Sequence, residues 1–100
     1  MTDVKLLKSW KITETLLERA RHTLPEASEQ HMQEYAALLA EYYEFLAHNE
    51  LELALNRLEE LGHLIPCHGG FWRDLERAAE NMGLVDRLPA LRKAFSDALE

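Results

Sequence analysis

The sequence predicts an all-α protein folded as a single compact domain of four to five helices. Apolar residues recur every three or four positions along most of the 100-residue chain, which is the spacing of amphipathic helices. Only three prolines and four glycines occur, and they fall where helices are expected to begin or end. A chain of this length can bury one core but is too short for two.

The first helix is expected to run from about Asp3 to His22, with Thr2 as a candidate N-cap. Pro25 ends this segment, because proline disfavours helical geometry in the residue before it. The apolar stripe of the helix consists of Leu6, Trp10, Leu17, Ala20 and Leu24.

The second helix is expected to begin between Glu26 and Glu29 and to end near Ala47. Its apolar side comprises Tyr35, Leu38, Leu39, Tyr42 and Leu46, widened by Tyr43 and Phe45. So broad a face predicts a central helix that touches two neighbours. The polar side carries Glu34, Glu41 and Glu44.

The third helix is expected to span Glu50 to about Leu61. Asn49 and Glu52 have the spacing of a capping box, in which each side chain bonds a backbone N–H group at the helix start. Gly62 is the expected C-terminal stop. The predicted core stripe consists of Leu51, Ala54, Leu55, Leu58 and Leu61.

Two shorter helices are expected after a loop over His63–Gly70. The fourth opens at Phe71 or Trp72 and ends at Gly83, and Asp86 caps a fifth that has Pro89 in its first turn. The inward residues of these two helices are predicted to be Leu75, Ala78, Ala79, Met82, Leu88, Leu91, Phe95 and Ala98 or Leu99. Helical phase also predicts that four aromatic residues lie in the core: Trp10 of the first helix, Phe71 and Trp72 of the fourth, and Phe95 of the fifth.

The net charge of −7 is concentrated in the middle of the chain. Nine acidic residues and one base, Arg57, lie between Glu26 and Glu60, whereas residues 1–25 carry three acids and five bases. This balance argues against nucleic acid as a ligand, because phosphates require a stripe of lysine or arginine. A basic protein is the more plausible partner.

The composition also indicates a cytoplasmic protein without a membrane partner. Charged residues interrupt the N-terminal apolar positions, so we find neither a signal-peptide core nor a run of ~20 apolar residues. Cys67 is the one cysteine, which excludes an internal disulfide and agrees with a reducing compartment.

His63, Cys67 and His68 form one candidate site. Histidine and cysteine in a loop can bind zinc, but His22, His31 and His48 supply no second ligand pair with matching spacing. A second hypothesis is that the cysteine is a nucleophile activated by a neighbouring histidine. The alternative is a free thiol beside solvated imidazoles. We therefore expect neither enzyme activity nor a metal or cofactor.

A protein-binding face is the second candidate. At ~100° per residue Leu53 points away from the core stripe of its helix and lies among polar residues. It is either an interface anchor or a residue covered by the fourth or fifth helix, and the acidic residues are either an interface or a solubilising surface. The predicted partner-binding residues are Glu34, Glu41, Glu44, Glu52, Leu53, Asn56, Glu59 and Glu60.

Two motifs between Tyr43 and Leu84 carry a family resemblance. The first consists of Tyr43, Leu46, His48, Asn49, Glu50, Leu51, Leu53, Ala54, Leu55 and Leu58. The second consists of Phe71, Trp72, Leu75, Ala78, Ala79, Met82, Gly83 and Leu84. With these motifs the chain resembles the MafI-type immunity proteins of bacterial polymorphic toxin systems, which are related to contact-dependent growth inhibition.

The resemblance implies a stoichiometric inhibitor of a secreted toxin's C-terminal domain. Such domains are often nucleases, and EndoU-like ribonucleases are among those paired with this family. The basic first helix and the Cys67 loop have no counterpart in the motifs. A helical adaptor or dimerising regulatory domain, in which Tyr43 and Leu53 pack against a second copy, is the alternative function.

Overall fold

The computed structural model describes the backbone of residues 4–99 and the side chains of residues 8–99. The helices are α1 (Val4–His22), α2 (Met32–Ala47), α3 (Leu51–Leu64), α4 (Gly69–Asn81) and α5 (Leu88–Ala98). Short 3₁₀ turns at Glu29–His31 and Val85–Arg87 precede α2 and α5, and no strand occurs in the described part of the chain. The all-α prediction is confirmed, while Thr2 and the side chain of Leu6 lie outside the described residues.

Helices α3 and α4 form the centre of the protein. Helix α4 packs between α1 and α5, and α3 packs against α1, α2 and α4. All five predicted core residues of α3 are buried. The prediction that α2 is central was wrong: its main helical neighbour is α3, and Tyr42 is its one fully buried residue. Its wide apolar side is half-covered because it rests on the edge of the bundle.

Asn49 ends α2 rather than capping α3, so the predicted capping box is wrong. Its φ of 57° is left-handed, and the N–H of Glu50 donates to the carbonyl of Phe45 at 2.9 Å. The N–H of Asn49 donates to the carbonyl of Leu46 at 3.1 Å. These two bonds form a Schellman motif, in which asparagine is among the few residues that tolerate the backbone. Glu50 is the N-cap of α3, without a side-chain bond to the helix.

Gly62 lies inside α3 rather than after it. Helix α3 continues to Leu64, and a Cβ atom at Gly62 would lie 2.6 Å from ring atoms of Phe71 and Trp72. The glycine is therefore a point of close helix–helix approach. The same motif that ends α2 ends α4, where Gly83 has a φ of 75°.

The remaining helix boundaries depart slightly from the sequence predictions. Helix α2 begins at Met32, later than predicted, because a 3₁₀ turn precedes it. Helix α4 begins at Gly69, and the Nδ1 atom of His68 accepts a hydrogen bond from the N–H of Gly70 at 3.1 Å. Asp86 does not cap α5, whose N-cap is Arg87.

Trp10 was predicted to lie in the core, and this was wrong. Phe71 and Trp72 are buried and Phe95 is half-buried, but Trp10 is 42% exposed. Helix α4 ends at Asn81, whose Nδ2 atom donates to the carbonyl of Ser9 at 2.7 Å. Towards its N-terminus α1 therefore extends past the end of its partner helix.

Candidate protein-binding face

Arg57 joins α2 to α3 on their outer side. Its Nε atom lies 3.5 Å from Oε2 of Glu41 on α2, and its Nη1 atom donates to Glu60 on α3. Its guanidinium also lies 5.7 Å from the ring centroid of Phe45. The one base of the acidic block therefore holds two of the predicted partner-binding carboxylates in place.

Arg87 ties the 3₁₀ turn before α5 to the other flank of α3. Its two terminal nitrogens donate to Asn56 and to the carboxylate of Glu59. The Glu59 side chain is only 19% exposed. Asn56 and Glu59 thus stabilise the fold, and they are less available to a partner than the sequence suggested.

The remaining α3 residues connect these two flanks. Glu60 and His63 line a surface depression of about 300 Å³ together with Glu34 and Leu38 of α2. They also line a depression of about 320 Å³ with Arg87. We call this surface the α2–α3 face and define it as Glu34, Glu41, Glu44, Leu53, Asn56, Glu59 and Glu60. It contains seven of the eight predicted residues.

Leu53 is 38% exposed, so no helix fully covers it. It lies one turn before Asn56 and Arg57 and therefore projects on the same side of α3. Tyr43 is also exposed, at 40%, but its hydroxyl accepts a hydrogen bond from Nε of Arg21 on α1 at 2.8 Å. Since Tyr43 and Glu41 point ~200° apart around α2, Tyr43 and Leu53 lie on different flanks.

Glu52 is the predicted residue that lies apart from this face. It lines a groove at the N-terminal end of α3, together with Trp10 of α1 and Leu84. Sequence reasoning did not single out this groove, because it assigned Trp10 to the core. Among the side chains that the structure describes, Glu34, Glu44 and Glu52 form no ion pair.

Cys67 is a half-buried free thiol rather than an activated nucleophile. Burial raises the pKa of Cys67 to about 11, and its Sγ donates to the carbonyl of Ile65 at 3.5 Å. His68 is occupied as the N-cap of α4, and the ring centroid of His63 lies 5.0 Å from that of Trp72. In the described part of the chain no three His, Cys, Asp or Glu residues come together as metal ligands.

None of the described helices is both long enough and apolar enough to cross a membrane. No protein-family model, curated protein or solved structure matches the chain. The resemblance to MafI-type immunity proteins therefore rests on the two motifs alone. Most residues of those motifs are buried or form the two Schellman ends, so the motifs concern the scaffold more than its surface.

Proposed function

We propose that this protein is a cytoplasmic immunity protein that binds and neutralises a basic toxin domain in a stoichiometric complex. The observation that carries the proposal is the α2–α3 face, where carboxylates distant in sequence meet at Arg57 and beside Glu60, on the side of α3 that also exposes Leu53. Arg57 holds Glu41 and Glu60 there, which lowers the conformational entropy that they lose when a partner binds.

The arrangement of the face favours binding over turnover. Glu34 and Glu44 are exposed to solvent on the polar side of an amphipathic helix. General acid–base catalysis instead requires a carboxyl group whose pKa is shifted by a pocket. The protonated Cys67 thiol is likewise a poor nucleophile at neutral pH.

A nuclease, such as an EndoU-like ribonuclease, is the toxin that this charge pattern suits best. A ribonuclease needs a basic groove for its substrate, and the carboxylates of α2 and α3 can occupy positions that phosphates would take. Complementary charge also accelerates association. Rapid capture is useful, because a single uninhibited enzyme molecule damages many RNAs.

The test is co-expression with the C-terminal domain of a toxin encoded beside this protein's gene. The wild-type protein should restore growth and form a 1:1 complex whose association slows as salt is raised. The double variant Glu34→Lys/Glu44→Lys should bind about tenfold more weakly, mainly through slower association. No rescue by the wild-type protein would refute the proposal.

The matched control is Glu26→Lys/Glu29→Lys. It changes the net charge equally, at two exposed positions between α1 and α2. This control should bind nearly as well as wild type if the α2–α3 face makes the contact. An equal loss in both double variants would show that bulk charge, rather than this face, attracts the toxin.

A further inference from the structure

A groove of about 320 Å³ lies where α1, the start of α3 and the end of α4 meet. One part of its lining is apolar and another carries polar side chains. We call it the Trp10 groove and define it by Trp10, Leu51, Met82, Leu84, Asn49 and Glu52. Its volume is at the lower end of the ~300–1,000 Å³ range of ligand pockets and is ample for one inserted side chain.

Trp10 forms an exposed aromatic wall of this groove. It lies two turns before the fully buried Leu17 and in the same helical phase, yet it remains 42% exposed. An indole that is left partly in water forgoes much of its hydrophobic stabilisation. Tryptophan in a concave surface is also among the commonest residues that dominate binding energy at interfaces.

The rest of the groove is preorganised and carries hydrogen-bond acceptors. The amide of Asn81 donates to the carbonyl of Ser9 and to Oγ1 of Thr13, each at 2.7 Å, which anchors the end of α4 against α1. Glu52 is exposed beside the groove and has no ion-pair partner among the described side chains. The left-handed Asn49 contributes a second polar side chain.

We infer that the Trp10 groove receives an arginine side chain from the basic partner protein, an inference that rests on the function proposed above. The aliphatic stem of the arginine packs against Leu51, Met82 and Leu84. Its guanidinium stacks on Trp10 and pairs with Glu52. Arginine is the side chain that matches an apolar groove with an aromatic wall and a carboxylate, because it joins an apolar stem to a planar cation.

The inference is tested by measuring the affinity of the toxin domain for four single variants. Trp10→Ser should weaken binding at least about tenfold, as expected for an interface anchor, and Glu52→Gln should weaken it several-fold. The controls are Ile12→Ser, which changes another exposed apolar residue of α1, and Glu26→Gln. Both should bind like wild type.

If the Trp10→Ser and Glu52→Gln variants bind the toxin as tightly as the wild-type protein does, the groove is not the contact and the proposed function stands. If Trp10→Ser has a lower Tm than the wild-type protein, the affinity of the exposed Glu52→Gln variant decides whether the groove contacts the toxin. A wild-type protein that does not bind the toxin at all would refute the proposed function instead.

The groove is also testable without a toxin. We would titrate 5-fluorotryptophan-labelled protein with a blocked Gly-Leu-Arg-Leu-Gly peptide and follow the ¹⁹F signal that Trp10→Phe removes. The Trp10 signal should shift when this peptide is added at millimolar concentration. It should not shift with the control peptide Gly-Leu-Glu-Leu-Gly, in which glutamate replaces arginine. No shift, or an equal shift with both peptides, would overturn the inference.

Discussion

Replacing Asn49 distinguishes a left-handed helix end from a capping box, because the two roles favour different residues. Serine is as good an N-cap as asparagine, so a capping box predicts that Asn49→Ser is nearly neutral. With a φ of 57°, however, a residue other than glycine or asparagine costs roughly 1–2 kcal/mol. We therefore expect Asn49→Ser to destabilise the protein by about 1 kcal/mol.

Glycine at the same position should have the opposite effect. Because glycine adopts left-handed geometry without steric cost, Asn49→Gly should be neutral or slightly stabilising. Gly83→Ala is the matched test at the end of α4, where the φ of 75° predicts a loss of roughly 1–2 kcal/mol.

Urea unfolding followed by circular dichroism measures these differences in the free energy of unfolding. For a domain of this size, 1 kcal/mol also corresponds to a shift of about 4–8 °C in Tm. The reasoning would be refuted if Asn49→Ser kept wild-type stability while Asn49→Gly lost stability, since that order belongs to an N-cap.

Four further predictions concern the core and the ties between helices. Gly62→Ala should lower stability by about 1–2 kcal/mol in urea unfolding, because its Cβ would overlap two buried rings; a gain of ~1 kcal/mol, as helix propensity alone predicts, would contradict this. Tyr42→Phe should raise the Tm, because it removes a buried hydroxyl that has no hydrogen-bond partner among the described residues, and a lower Tm would mean that the hydroxyl is satisfied. Arg87→Ala should cost about 1–2 kcal/mol, whereas the exposed control Arg77→Ala should cost much less, and equal losses would count against the Arg87 tie. Alkylation of Cys67 should reach half its maximal rate near pH 11. Because the pKa of the unfolded thiol is 9.0, the contribution of the buried thiol to the free energy of unfolding should be lost as pH rises from 9 to 11. A midpoint of the alkylation rate at or below pH 9 would contradict the burial of Cys67.

Sequence periodicity was most reliable where one helix side faces a continuous core. Every predicted stripe residue of α3 is buried, because that helix contacts three others and its apolar stripe is narrow. The same reasoning failed for α2, whose wide apolar side indicated a central helix, although α2 packs mainly against α3 and most of that side is only half-buried. Periodicity reports which side of a helix is apolar, but it does not report how much of that side is covered.

Single residues at helix ends were the second source of error. Asparagine serves both as an N-cap and as a left-handed C-terminal residue, and the short connection between α2 and α3 required the second role at Asn49. Gly62 was interpreted as a stop signal, although it is the place where Phe71 and Trp72 approach α3. A glycine that ends a helix and a glycine that lets another helix approach look alike in sequence, because the residues that contact Gly62 belong to another helix.

For the predicted partner-binding residues, exposure was predictable from the sequence but side-chain contacts were not. The exposure of Glu34, Glu41 and Glu44 follows from the phase of α2 and was predictable. The engagement of Glu59 by Arg87 was not predictable, because the two residues are 28 positions apart and belong to different elements.

The sequence by itself determined that the chain is helical, where each helix lies to within a few residues, and which side of α3 is buried. These properties depend on residues within one or two turns of one another. The tertiary structure alone decided that α3 and α4 are central, that Trp10 lines a groove, and that Arg87 binds Glu59. Those outcomes depend on where the neighbouring elements lie and end. Helical phase specifies the side of a helix on which a residue lies, but it does not specify which element, if any, packs against that side.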